Sequence, residues 1–206
     1  MITLDAPTLP TAGLTTLDRP ATAPRAGLRL TRRIASRRFV RLEQAAAAVR
    51  ALSPLPVPGE SLHGVTDGTY SGWSLATACI QLLAEPVAEM IVATLGFNRP
   101  NCSDLCEAID AGKVRSVLLL VSDYFRSSDR TVFADCRREL EARGQRVAIA
   151  RSHAKLILLR TAGRSIVCET SANLRGSTNY EQFTLCDDAA LFDFHRRWIL
   201  ELVGAA

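Results

Sequence analysis

Ser152-His153-Ala154-Lys155-Leu156-Ile157-Leu158-Leu159 decides how the rest of the chain is read. Leu156 to Leu159 is an apolar run of strand character, with a His and a Lys two residues apart at its entrance. Strand side chains alternate between faces, so His153 and Lys155 point to the same side. An imidazole beside an ammonium makes a place for an anion, above all a phosphate. Two polar pieces follow, Glu169-Thr170-Ser171-Ala172-Asn173-Leu174 and Asn179-Tyr180-Glu181-Gln182-Phe183. Together the three pieces read as one phosphate-handling site.

Composition sharpens the signal. The 206 residues hold 23 Arg but only two Lys, Lys113 and Lys155, and three His. A chance His-x-Lys in such a chain is expected about three times per hundred sequences, so the pair carries information. The apolar fraction of 48% and charged fraction of 22% are those of a globular domain. No apolar run has the length of a membrane span, and no basic segment followed by an apolar stretch opens the chain, so neither a membrane anchor nor a secretory signal is expected. The six Cys (79, 102, 106, 136, 168 and 186) contain no C-x-x-C pair and read as reduced thiols of a cytoplasmic protein. No metal site and no cofactor are expected.

Outward from the site, the pattern is α/β. Residues 1–28, rich in Thr, Pro and Ala, read as a disordered tail. Residues 29–52 read as a basic helical arm: Phe39, Leu42, Ala46 and Val49 recur at helical spacing. Arg33, Arg37 and Arg41 lie four apart on the other side, with Arg29 adding charge at the start. No acid occurs between 25 and 41, and phosphate contact competes there with a solvated or subunit-packing face. Residues 53–60, with alternating prolines, read as a stiff linker, and the globular domain as 61–206. Within it, helices are expected at 74–84, 101–111, 128–143 and 189–203. Strands are expected at 87–97, 114–122, 146–150, 154–160, 165–169 and 181–186. The nearly continuous apolar run around Val117-Leu118-Leu119-Leu120-Val121 indicates a sheet covered on both faces. In the closing helix, Leu191, Phe194, Trp198 and Leu202 are expected toward the core.

His153-x-Lys155 followed by Thr170-Ser171-Ala172-Asn173 resembles the HxK…GSxN signature of the phospholipase D-like superfamily. The resemblance covers roughly residues 74–203. Arg160 stands where that family has an Asp, and Thr170 where it has the first Gly. The resemblance implies a mixed β-sheet flanked by helices and a metal-independent phosphoryl transfer through a phosphohistidine. It makes His153 the nucleophile, Lys155 and Asn173 phosphate ligands, and Ser171 a helper through its hydroxyl. A nucleophilic imidazole needs its second nitrogen held, ordinarily by a carboxylate. Glu181 is the first candidate and Glu169 the second. Such a site uses two His-x-Lys elements and this chain has one, which implies a homodimer sharing its active site across a twofold axis. Size and single motif suit the small bacterial or phage-encoded members.

Two functions follow. One is a nuclease or phosphodiesterase acting on DNA or RNA. The other is a catalytically degenerate subunit that binds nucleic acid or assembles into a larger nucleoprotein complex; Arg160 and Thr170 favour it. If the arm grips phosphates, replacing Arg33, Arg37 and Arg41 by Ala lowers the log–log salt slope of nucleic-acid binding by roughly one unit per lost contact. A salt titration with an unchanged slope would assign the arm to subunit packing or solvent.

Overall fold

In the computed structural model, residues 48–68, 71–176 and 178–204 are described in full, and 29–31 and 37–42 as backbone strands. The elements run β1 (Arg29–Thr31), β2 (Arg37–Leu42), α1 (Ala48–Leu52), β3 (Ser61–Thr66), α2 (Gly72–Leu82), β4 (Glu89–Thr94) and α3 (Arg99–Asp110). They continue with β5 (Val117–Ser122), α4 (Asp123–Ser128), α5 (Arg130–Glu141), β6 (Arg146–Ala150), β7 (Leu156–Arg160), β8 (Ser165–Thr170), β9 (Glu181–Asp187) and α6 (Ala189–Gly204). All strands join one mixed sheet in the order β1-β2-β3-β9-β8-β7-β4-β5-β6. β4, β5 and β6 are parallel, whereas β7, β8, β9 and β3 follow one another antiparallel from β4.

Alternation along the strands splits the core in two. Val92, Leu119, Ile157, Leu159, Ile166 and Cys168 face helices α2, α3 and α5. Ile91, Leu118, Leu120, Leu156, Leu158 and Val167 face α6. β5 is buried along its whole length, as its unbroken apolar run requires. Gly112 and Gly144 follow α3 and α5 with φ of 69° and 71°, the left-handed geometry that ends a helix cheaply only at glycine.

Several expectations change. Among the described residues of the basic helical arm, 29–31 and 37–42 are strands and 48–52 are helix. A spacing of four puts Arg33, Arg37 and Arg41 on one face of a helix, but an even spacing also fits one face of a strand. The free backbone edge of β3 settles the matter: β2 pairs with it in parallel, Arg37 opposite Ser61 and Arg41 opposite Val65. Arg33 and the tail at 1–28 lie outside the described residues. The proline-rich 53–60 stretch is no free spacer. Leu55 is buried, Pro58 bridges to Asp187, and the Arg164 guanidinium donates to the Pro56 carbonyl. β3 itself had no counterpart in the sequence reading, because Gly64 interrupts its apolar alternation.

In α6 the buried face is Phe192, His195, Ile199 and Val203, one position round from the expected stripe. Phe194 is 60% exposed. The two stripes overlap, and a histidine in the true one hides it. His195 is accommodated because its Nε2 lies 3.0 Å from Glu169 Oε1 and Trp198 Nε1 donates to its Nδ1 at 3.0 Å. The expected helix at 128–143 is α5, and a further short helix, α4, precedes it directly after β5.

Gly64 lies opposite Phe183, and a Cβ there would overlap the buried Phe183 ring. Gly64→Ala therefore lowers stability by about 1–3 kcal/mol, the usual cost of overpacking. Urea unfolding with an unchanged midpoint would contradict this packing of β3 on β9.

Candidate functional site

The candidate residues gather at one end of the sheet because strand directions bring their termini there. β4 and β5 finish at that end, while β7 and β9 begin there: Ala93 lies opposite Leu156, and Thr66 opposite Glu181. The chain leaves β6 at Ala150 and must cross the carboxyl ends of β5 and β4 to enter β7. Ser152 shapes the crossing. Its N–H donates to the Ala150 carbonyl at 2.9 Å, and its Oγ accepts from the Ala154 N–H at 3.2 Å.

His153 and Lys155 meet at the end of this crossing. Lys155 Nζ lies 3.1 Å from His153 Nδ1 and 3.5 Å from Nε2, and donates to the His153 carbonyl at 3.1 Å. Burial holds the Lys155 ammonium below the ordinary lysine pKa, and the Glu181 carboxylate opposes that shift.

The loop at 171–174 passes from the end of β8 over the start of β7 to the end of β4. At its start the Thr170 hydroxyl donates to the Gln182 carbonyl at 2.9 Å and accepts from the Ala172 N–H at 3.0 Å. Thr170 thus closes this turn with its own side chain. The Ser171 hydroxyl donates to Glu181 Oε2 and accepts from the Gln182 N–H at 3.0 Å. At the far side, Asn173 Oδ1 accepts from the Leu95 N–H at 3.3 Å. The Asn173 carbonyl accepts from the Gly72 N–H at 2.8 Å, at the first turn of α2. A Cβ on Gly72 would lie 3.0 Å from that carbonyl oxygen, so glycine allows the close approach.

Two residues that the sequence reading passed over fasten this loop. Thr94 Oγ1 accepts from the Leu174 N–H at 3.2 Å, and Asn101 Nδ2 donates to the Leu174 carbonyl at 2.6 Å. A hydroxyl closing the apolar run Met90-Ile91-Val92-Ala93 was the visible sign of the first.

Of the expected set, Lys155 contacts His153, and Ser171 contacts Glu181, whose charge Lys155 feels. Asn173 is tied to β4, the strand beside β7. Among the described residues no carboxylate is bonded to His153. Glu181 turns to Ser171. Glu169 belongs to the opposite face, since it alternates with Cys168 and Thr170, and it pairs with His195. Arg160 is remote from the site. It ends β7, five residues from Lys155, or roughly 16 Å along a strand. There it bonds Asp193 at 2.6 Å and stacks on Phe192, with its guanidinium carbon 3.9 Å from the ring centroid. Its guanidinium is engaged with residues of α6. The remaining histidines are engaged elsewhere: His63 lies within β3 beside Ser61 and Thr184, and His195, on α6, is bonded to Glu169 on the sheet face that packs against that helix.

No family model matches the chain, and no curated protein matches it in sequence. Solved structures do match in fold. The polyphosphate kinase from Porphyromonas gingivalis matches over 74% of this chain and 30% of its own, with a TM-score of 0.50 and 16% identity. The phosphatidylserine synthase of Haemophilus influenzae Rd KW20 matches over 69% of this chain and 38% of its own, with a TM-score of 0.50 and 14% identity. The likeness to both is one of fold, and that fold is the phospholipase D-like one. The chain spans well under half the length of either. Among the described residues no helix is long and apolar enough to cross a membrane.

With only two lysines in the chain, the Lys155 ammonium can be followed by NMR after 13C-lysine labelling. Its midpoint is expected below the ordinary lysine range. Glu181→Gln is expected to lower it further, because the carboxylate favours the charged form. A Lys155 midpoint at or above the ordinary value, or one raised by Glu181→Gln, would contradict a desolvated lysine facing Glu181.

Proposed function

We propose that the protein is a metal-independent phosphodiesterase that cleaves nucleic acid through a phosphohistidine at His153. The observation that supports it most is the Lys155 ammonium set 3.1 Å from Nδ1 of His153, at the sheet end where Ser171 and Asn173 also lie. In this reading the substrate phosphate displaces the ring from Lys155, which then holds a non-bridging oxygen. Asn173, its Oδ1 committed to the Leu95 N–H, presents its NH2 to another. These fixed donors stabilise the charge that builds on the phosphoryl oxygens.

The imidazole nitrogen attacks phosphorus, a P–N bond forms, and the P–O bond to the leaving group breaks. The leaving oxygen takes a proton from a second histidine, and water then attacks phosphorus and returns the imidazole. His63 and His195 are bonded elsewhere in the fold, so the second histidine is His153 of another copy, across a twofold axis. The Arg-rich residues 29, 33, 37 and 41 serve in this reading as phosphate contacts beyond the reacting centre.

A second reading, a non-catalytic subunit that binds nucleic acid or assembles a larger complex, has one observation in its favour. The hydrogen-bond partner of the His153 ring is Lys155 and not a carboxylate. The remote placement of Arg160 removes one of the sequence grounds for it.

The two are separated by one assay on single- and double-stranded DNA and RNA in EDTA. An enzyme of this type cuts at least one of them, and His153→Ala abolishes cutting while leaving binding nearly intact, since affinity rests on spread phosphate contacts. Mixing His153→Ala chains with wild type removes activity faster than in proportion. A wild type that binds and cuts nothing would replace the enzyme by the binding subunit.

A further inference from the structure

Two exposed tyrosines flank the candidate phosphate site. Tyr124 is 63% exposed and Tyr180 is 65% exposed. The chain has three tyrosines, and these two are the ones within the fully described residues. By contrast Phe97, Phe125, Phe133, Phe183 and Phe192 are all buried.

Topology puts both tyrosines at the sheet end that carries His153 and Lys155. Tyr124 follows Ser122, the last residue of β5, and Tyr180 precedes Glu181, the first residue of β9. Across the sheet the order is β9-β8-β7-β4-β5, so β7 and Lys155 are central, with one tyrosine two strands away on each side. At about 4.8 Å between strands, each tyrosine strand is roughly 10 Å from β7 and the two are roughly 19 Å apart. That span suits a short extended single strand whose central phosphate sits at Lys155. An inorganic polyphosphate chain has no planar groups to lay on such rings, and a phospholipid headgroup has none.

We infer that Tyr124 and Tyr180 are stacking platforms for the bases on either side of the bound phosphate, making single-stranded nucleic acid the substrate class. The inference rests on the proposed phosphodiesterase site and deepens it. Base–aromatic stacking tolerates any base, because every base has a π-face. The site therefore prefers single strands over duplexes, whose bases are already stacked on one another, and shows little sequence preference.

The test uses the His153→Ala protein, which binds without cutting. Three ligands are compared by fluorescence anisotropy or competition: an oligothymidylate of about ten nucleotides, an abasic strand of equal length, and linear polyphosphate. The oligothymidylate is expected to bind tightest. Tyr124→Ala and Tyr180→Ala each weaken it roughly fivefold or more, leave the abasic strand and polyphosphate unchanged, and are rescued by Tyr→Trp at the same position. Equal affinity for base-bearing and abasic strands, or alanine variants that weaken all three ligands alike, would overturn the stacking inference. If the wild type still cuts nucleic acid in that case, the phosphodiesterase reading stands without it. If the protein binds polyphosphate but neither strand, and cuts no nucleic acid, both fall.

Discussion

The antiparallel pairing of β7 against β4 is the constraint on which the candidate site depends. A parallel β4-β5-β6 unit alone would send its next strand in the same direction, with its entrance at the far end of the sheet. Because β7 runs the other way, Ala93 meets Leu156, and the carboxyl end of β4 lies beside the entrance of β7. His153 and Lys155 are carried to the place where Leu95 offers a free-standing N–H to Asn173. The following strands keep the alternation, so Ser171 at the end of β8 and Glu181 at the start of β9 arrive at the same end. The polar residues meet because their strands start and stop together, though they are spread over almost thirty positions of the chain.

The interior enforces that arrangement. β4, β5 and β7 are apolar on both faces, so sliding any of them by one residue would exchange the residues facing α6 with those facing α2, α3 and α5. The polar loop at 171–174 is fastened at both ends by neutral hydrogen bonds, through Thr94 and Asn101 on one side and Gln182 on the other. What marks this end is the imidazole–ammonium pair, exposed to half-buried, in which Lys155 bonds the His153 ring and carbonyl.

Much of this was legible in the sequence for a physical reason. Strands buried on both faces announce themselves as unbroken apolar runs, and helix ends announce themselves by glycine, so β4, β5 and β7 and the stops at Gly112 and Gly144 could be read directly. Where two periodicities fit the same residues, the sequence was silent. Arginines four apart suit helix and strand equally, and the exposed edge of β3 made 37–42 a strand. In α6 two adjacent apolar stripes competed, and the one with a buried histidine won because Glu169 and Trp198 satisfy it. The same pairing withdrew Glu169 from the site, which no one-dimensional pattern could reveal. Arg160 looked like a defect in the motif, and only its distance along β7 shows that it belongs to the packing of α6.

The central claim is that His153 forms a bond to phosphorus. It is tested most directly by quenching the protein with a labelled single strand in alkaline denaturant, where N-linked phosphoryl groups survive, and mapping the adduct by mass spectrometry. A covalent adduct on the peptide that contains His153, absent in His153→Ala, is the predicted result. A protein that turns over its substrate with no adduct at His153, or with one on a different residue, would contradict it.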